Sequence, residues 1–116
     1  MFQQDKSIVS DFTSTSPRFM PGTVVHHKLF DYRGVIVDAH PRYQGTDEWY
    51  DRVAKTEPPK DAPWYEVLVD GSSQVTYVAE RNLEHDVSGN PIEHPLLHMF
   101  FTEFRAEGYR VGGMTN

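Results

Sequence analysis

Residues 61–71, DAPWYEVLVDG, place a proline before two aromatic residues, an alternating apolar run and an Asp-Gly turn. Alternation of this kind is typical of a half-buried β-strand, and Asp-Gly favours a hairpin. The stretch therefore predicts a strand over 64–69. Tyr65 is expected to face the core, whereas Trp64 faces the opposite side, where it is available to a loop or to a partner.

The segments around this strand predict further short antiparallel strands. Valine, threonine and aromatic residues are concentrated in them, and turn residues separate them. A tight turn is expected over 31–34, with Gly34 at positive φ. The predicted strands are 23–30, 35–39, 64–69 and 74–79, with a short fifth near either end of 85–91.

The pattern changes near the C-terminus. Apolar residues there recur at i, i+3, i+4 and i+7, which is one face of a helix; they are Leu97, Phe100, Phe101 and Phe104. Gly108 is expected to end that helix. Four or five strands and one helix predict a mainly β fold, a small SH3-like antiparallel barrel whose C-terminal helix covers an open end.

The length of 116 residues allows one domain. We expect a flexible leader over 1–18, a single domain over 19–111 and a frayed tail over 112–116. The absence of cysteine excludes disulfides and thiolate metal sites. No apolar run approaches the roughly 20 residues of a membrane span, and no targeting segment is evident, which predicts a cytoplasmic protein without a membrane partner.

Charge is unevenly distributed along the chain. The formal net charge is −6. Residues 18–45 hold four bases against two acids, whereas 64–93 hold six acids against one base. Because nucleic-acid binding depends on neutralising phosphates, this balance allows DNA on one face only and does not favour it.

Two long stretches carry a resemblance to a known family. They are FMPGTVVHHKLFDYRGVIVDAHPRY at 19–43 and APWYEVLVDGSSQVTYVAERNL at 62–83. Taken together and in this order, the two stretches resemble the YccV-like family. This family includes the HspQ-like heat-shock proteins and is also called the hemimethylated-DNA-binding domain family. The tail at 92–111 looks more like that of the larger YccV-like domains of F-box and chloroplast protease-adaptor proteins. The resemblance implies an SH3-like barrel without catalysis, which binds hemimethylated DNA or serves ATP-dependent proteases as an adaptor.

The polar excursion at 40–62 is the first candidate site. Residues 47–55 are expected to form a turn or two of helix, capped by Thr46 or Asp47. Trp49 and Tyr50 lie in this excursion and Trp64 follows it, so the three are candidates for a protein-binding surface. The alternative is that these rings pack on one another and pin the excursion to the barrel.

The first hairpin is the candidate DNA site. Basic residues flank it and one aromatic residue lies at its tip, which suits contact with a phosphate backbone; they are Lys28, Tyr32, Arg33 and Arg42. The alternative is ordinary solvated charge. No cluster of Asn, Gln or Arg indicates readout of base edges.

A metal-dependent enzyme is the third hypothesis. His27 is expected opposite Asp38, with His40 two residues further along the same face, and such a trio could hold a transition metal. The alternative is a hydrogen bond that fixes the hairpin, so we predict no cofactor and no catalysis. The preferred partner is a protein, such as an ATP-dependent protease or its substrate; DNA is the alternative, and a homo-oligomer stays open.

Overall fold

The computed structural model describes residues 16–54, 56–105 and 108–111. The predicted tail at 112–116 and most of the predicted leader lie outside these residues. Within the described part, no helix is long and apolar enough to cross a membrane. The elements are β1 Val24–His27, β2 Arg33–His40, α1 Asp47–Val53, β3 Trp64–Val69, β4 Val75–Ala79, a 3₁₀ turn Glu80–Asn82, β5 Leu83–His85, α2 Leu97–Phe100, β6 Phe101–Arg105 and β7 Gly108–Val111.

Five strands form one antiparallel sheet in the order β4-β3-β2-β1-β5. The mainly β fold and strand β3 agree with the prediction from alternation. Within the described residues, no hydrogen-bonded ladder joins β4 to β5, so the pairing leaves two free edges rather than a closed barrel.

The inner face of the sheet holds one apolar core. All five strands and the segment before β1 contribute to it, through Phe19, Val25, Ile36, Tyr65, Val67, Val78 and Leu83. Val78 and Leu83 come from the two edge strands, so the sheet must curl to bring them into one cluster. As predicted, Tyr65 lies in this core, fully buried. Its hydroxyl accepts hydrogen bonds from the backbone amides of Arg18 and Phe19, which ties the start of the described chain to the core.

The outer face is covered by the C-terminal segment. Val35 and Leu68 of the sheet pack there with Ile92, Phe101 and Tyr109. The Tyr109 amide donates to the carbonyl of Gly22 at 2.7 Å. The sheet is therefore buried on both faces over part of its area, and the C-terminal segment replaces the helical lid that was expected.

The prediction of a long C-terminal helix was wrong beyond Phe100. Only Leu97–Phe100 is helical, and 101–105 pairs with 108–111 as a β-hairpin. Phe101 and Phe104 pack against Tyr109 across this hairpin. Gly108 does not stop a helix; it begins β7 at a φ of 128°, a conformation that side chains disfavour.

The first hairpin also differs from its prediction. Strand β1 ends at His27 rather than at 30, and the residue in the left-handed region is Asp31, with a φ of 61°. Gly34 is not at positive φ. It is required for a different reason: a Cβ there would collide with the Val67 side chain and would lie 2.6 Å from the Leu68 carbonyl oxygen.

Strand β2 contains a bulge at Val37. Ile36 pairs with Val67, but Asp38 pairs with Glu66, so one residue of β2 has no partner on β3. A single extra residue inverts the alternation of side chains beyond it. Asp38 therefore shares the outer face with Glu66, which the expected register did not include.

Candidate functional site: a groove along the free edge of β4

A groove with a volume of about 480 Å³ follows β4. All six residues of 74–79 line it, so it follows the backbone of the strand rather than one of its faces. The Val69 amide donates to the Gln74 carbonyl at 3.1 Å, and bonded pairs recur every second residue in an antiparallel ladder. The backbone groups of Val75 and Tyr77 must therefore turn towards the free edge.

These outward groups have no partner within the described chain. Strand β4 pairs with β3 alone, and no described residue outside that ladder hydrogen-bonds to the backbone of Val75 or Tyr77. Val75 is also 49% exposed. Exposed edges of this kind are templates for pairing with another strand.

The loop over 28–32 forms one wall of the groove. Leu29 is 54% exposed and Phe30 is 66% exposed, which is unusual for two adjacent apolar residues. Buried His27 holds the loop: its Nδ1 atom accepts hydrogen bonds from the amides of both residues, and its ring stacks on Phe30 at 4.6 Å between centroids. Burial, together with neighbouring His26, lowers the pKa of His27, so the ring is held as a neutral acceptor.

Helix α1 and the segment after it form the other wall. Thr46 caps the helix as predicted, because its hydroxyl accepts from the Trp49 amide at 3.1 Å. Trp49 and Val53 line the groove, and Val53 is 42% exposed. Arg81 donates to the Thr56 carbonyl at 2.7 Å and so ties this wall to the end of β4.

The three predicted protein-binding residues belong to an aromatic cluster behind this wall. Trp49, Tyr50 and Trp64 pack together with Tyr43 and Tyr77, at centroid distances of 4.8 to 6.3 Å. Trp64 is only 1% exposed, and its indole N–H donates to the Pro59 carbonyl at 3.0 Å. This arrangement agrees with the alternative in which the rings pin the excursion to the sheet.

The excursion is fastened at several further points. The Tyr50 hydroxyl donates to the Pro58 carbonyl at 2.6 Å, and Lys60 lies 4.4 Å from the Tyr50 ring centroid. Trp49 and Tyr50 are half-buried. Trp49 and Trp64 belong to the aromatic cluster and also line the groove, although Trp64 is almost fully buried.

The four predicted DNA-contacting residues do not form one patch. The Arg33 guanidinium is bound within the chain: it donates to Asp86 at 3.0 Å, to Asp70 at 3.0 Å and to the Asn90 carbonyl. The hydroxyl of half-buried Tyr32 lies 2.8 Å from that of Thr76.

Two of the four remain exposed, Lys28 and Arg42. Lys28 follows β1 and Arg42 follows β2, so the eight residues of β2 separate them. At about 3.3 Å per residue this is roughly 26 Å. The first hairpin therefore presents two distant cations rather than a basic surface.

The predicted metal trio is also divided. His27 lies in the inner face, whereas Asp38 and His40 lie on the outer face, where the bulge brings them to Glu66. Asp38, His40 and Glu66 offer ligand atoms within 4.8 Å of one another. His40 Nε2 lies 3.2 Å from Asp38, and His40 Nδ1 lies 2.7 Å from the Tyr77 hydroxyl. These hydrogen bonds join Asp38 to His40 within β2, and His40 of β2 to Tyr77 of β4 across β3.

Sequence reasoning missed the residues that make the groove apolar. Leu29 and Phe30 were assigned to the first strand, and Val53 and Val75 were not considered. Two apolar residues directly before a turn were a usable sign, because exposed apolar residues at a loop tip often mark an interaction site. Tyr43 and Tyr77 were also missed as members of the aromatic cluster.

The fold and the groove define a mainly β domain equipped for binding. A family model described as "Hemimethylated DNA-binding protein YccV like" matches residues 17–108. The chain belongs to this YccV-like family, as the sequence resemblance indicated. The family is described by binding and not by catalysis, which supports a non-catalytic binding module.

Proposed function

We propose that this domain is a protein-interaction module that acts as an adaptor in cytoplasmic protein quality control, with an ATP-dependent protease or its substrate as partner. The groove along β4 carries the proposal. Among the described residues that line it there is no Asp, Glu, Lys or Arg, and its rim exposes Leu29, Phe30, Val53 and Val75. Such a surface suits apolar side chains of another polypeptide, and these lining residues offer no charged side chain to phosphate.

We also interpret the curled sheet as an SH3-like barrel that is open at β4. The shared inner core of the two edge strands supports this interpretation. An open barrel edge beside an apolar groove leaves a place for a partner without any rearrangement of the core.

The adaptor proposal can be tested in a reconstituted degradation assay. Purified ATP-dependent protease from the same source degrades fluorescein-labelled casein with and without the domain. We expect the domain to change the rate at least about twofold, and the Leu29→Ser/Phe30→Ser variant to have no effect, since apolar contacts drive such binding. The matched control is Val87→Ser, because Val87 is 96% exposed and lies outside the groove. An unchanged rate, with no co-purification of the protease, contradicts the proposal.

DNA is the second candidate partner, and the description of the family favours it. Lys28 and Arg42 are the cations of the first hairpin that remain exposed. Fully methylated, hemimethylated and unmethylated duplexes are titrated at two salt concentrations. A preference for hemimethylated duplex that falls with salt, and that is weakened in Lys28→Gln/Arg42→Gln, would establish this function. Under the protein-interaction proposal we expect no such preference.

A further inference from the structure

We propose that the groove binds an extended segment of another polypeptide, which joins the sheet as a sixth strand on β4. This inference rests on the protein-binding function proposed above and specifies how the partner is held. Main-chain hydrogen bonds to the edge supply affinity in this mode, and alternate side chains supply specificity.

The edge offers the necessary backbone groups. Strand β4 has five residues, about 17 Å at roughly 3.3 Å per residue, which is enough for a segment of similar length. Val75 and Tyr77 turn their amides and carbonyls outward, and no described residue occupies them. A partner strand gains hydrogen bonds there without displacing any hydrogen bond between the described residues.

The two walls decide what kind of partner fits. The loop at 28–32 is fastened at the far end of the groove, where the Lys28 amide donates to the Asn82 carbonyl at 2.8 Å. The segment after α1 is fastened at the same end through Arg81 and Thr56. A single extended strand needs only the backbone edge between these walls, whereas a second copy would also have to bring its own loop at 28–32 and its own segment after α1 to the same edge.

Charge distinguishes the two ends of the groove. The cations Lys28 and Arg81 lie at the end of the groove near Ala79. Glu66 lies opposite Tyr77, the middle residue of β4, and Glu93 is tied to the turn before Val75 through the amide of Gly71. The carboxylate next to Ala79, Glu80, is bound within the chain by the Tyr65 hydroxyl and the Arg18 amide. The described residues that line the groove between its two ends carry no formal charge. An antiparallel partner would therefore place an acidic residue first, alternating apolar residues next and a basic residue last.

Synthetic peptides test this arrangement directly. The probe is fluorescein-labelled EVTVTVK, blocked at both ends, and the control is the charge-swapped KVTVTVE. Fluorescence polarisation is expected to show binding of the probe and about tenfold weaker binding of the swapped peptide, which is the size of one charged contact. Equal affinity for the two peptides overturns the predicted direction.

Methylation of peptide amides distinguishes strand addition from general apolar adhesion. One probe is N-methylated at positions 2, 4 and 6, and the other at positions 3 and 5. Only every second amide of an added strand faces β4, so one probe should bind and the other should lose at least about tenfold in affinity. If both bind, or both fail while the parent peptide binds, the strand-addition proposal is wrong.

Variants of the edge locate the peptide. Val75→Pro removes an outward amide and leaves the ladder with β3 intact, so it should abolish peptide binding. Val87→Pro is the matched control in an exposed loop and should bind normally. If Val75→Pro fails to fold, Val75→Lys places a charge in the groove and should give the same loss. Normal binding by a folded edge variant excludes this site.

Other occupants give distinct results. A dimer that sedimentation detects, and that Val75→Pro dissociates, would assign the edge to a second copy. Peptide binding only after removal of 1–15 would assign it to that segment of the chain; either result overturns the proposal. If the peptide binds as expected but the protease assay shows no effect, the adaptor function fails and strand addition stands. The reverse outcome rejects strand addition alone.

Discussion

The substitution Arg33→Met removes a cation that donates hydrogen bonds to three acceptor groups of the chain. In the parent protein the guanidinium donates to Asp86 and Asp70, both at 3.0 Å, and to the Asn90 carbonyl. Methionine keeps most of the apolar stem and removes the charge. The Asp86 side chain, 7% exposed, then loses its cationic partner.

The expected cost follows from this burial. Loss of one partner of a buried ion pair costs about 3–5 kcal/mol, whereas an exposed pair contributes about 0–1 kcal/mol. Because the Arg33 side chain is 21% exposed, we expect a value between these limits, about 2–3 kcal/mol. For a urea m value of about 1.5 kcal/mol/M, the unfolding midpoint falls by roughly 1.3–2 M.

Urea unfolding followed by tryptophan fluorescence at several pH values measures this effect. Burial alone would raise the pKa of Asp86, but hydrogen bonds from Arg33 and Ser88 lower it below its ordinary value of 3.8. In the parent this carboxylate therefore stabilises the fold above pH 3.8, and the contribution is lost as the pH falls through the folded pKa. The deficit of the variant should shrink below about pH 4, where the unpaired carboxyl can be protonated.

A double-mutant cycle with Asp86→Asn completes the test. We expect a coupling free energy of about 1–2 kcal/mol between the two side chains. A loss below about 0.5 kcal/mol for Arg33→Met is the value of an ordinary surface substitution. That result would refute the conclusion that Arg33 stabilises the fold, and Arg33 would again be a candidate for contact with DNA.

Three further predictions concern other parts of the molecule. Gly34→Ala should lower the free energy of unfolding by about 1–3 kcal/mol through overpacking against β3; an unchanged melting temperature would contradict it. His26 lies between two carboxylates that raise its pKa through hydrogen bonds, so it stabilises the fold below its unfolded pKa of 6.5 and loses this as the pH rises through the folded pKa. His26→Gln should therefore cost more at pH 6 than at pH 9 in urea unfolding, and a constant difference would exclude the pairing. Trp64→Phe removes the indole donor that holds the excursion and should cost about 1–2 kcal/mol while shifting Trp49 emission to the red; a stable variant with unshifted emission argues against the pinning role.

The parts of the fold that sequence predicted correctly depend on local interactions. Thr46 caps α1 three residues before Trp49, and β3 is encoded by its own alternation. The C-terminal hairpin depends instead on contacts of Phe101 and Phe104 with Tyr109. Their spacing also suits a helix, so the pattern alone could not distinguish the two structures.

The candidate site was harder to predict because its parts are distant in sequence. Its edge exists because β4 is last in the sheet, which is a property of strand order and not of residues 74–79. Likewise Trp49 and Trp64 were both predicted from the sequence as binding residues. Their unequal exposure depends on how the excursion folds over the sheet. Arg33 was assigned to DNA because its two acidic partners lie more than thirty residues away.

The bulge at Val37 gives β2 one position where its length can change without a change of register. Ile36 and Asp38 already pair with adjacent residues of β3, so deletion of Val37 would remove the bulge and leave Ala39 and His40 on their present faces. The contact between His40 and Tyr77 would then be kept. When homologous chains are aligned, a gap of one residue at position 37 is therefore compatible with the same sheet, in the same way that a gap in the excursion at 40–62 only shortens a connection.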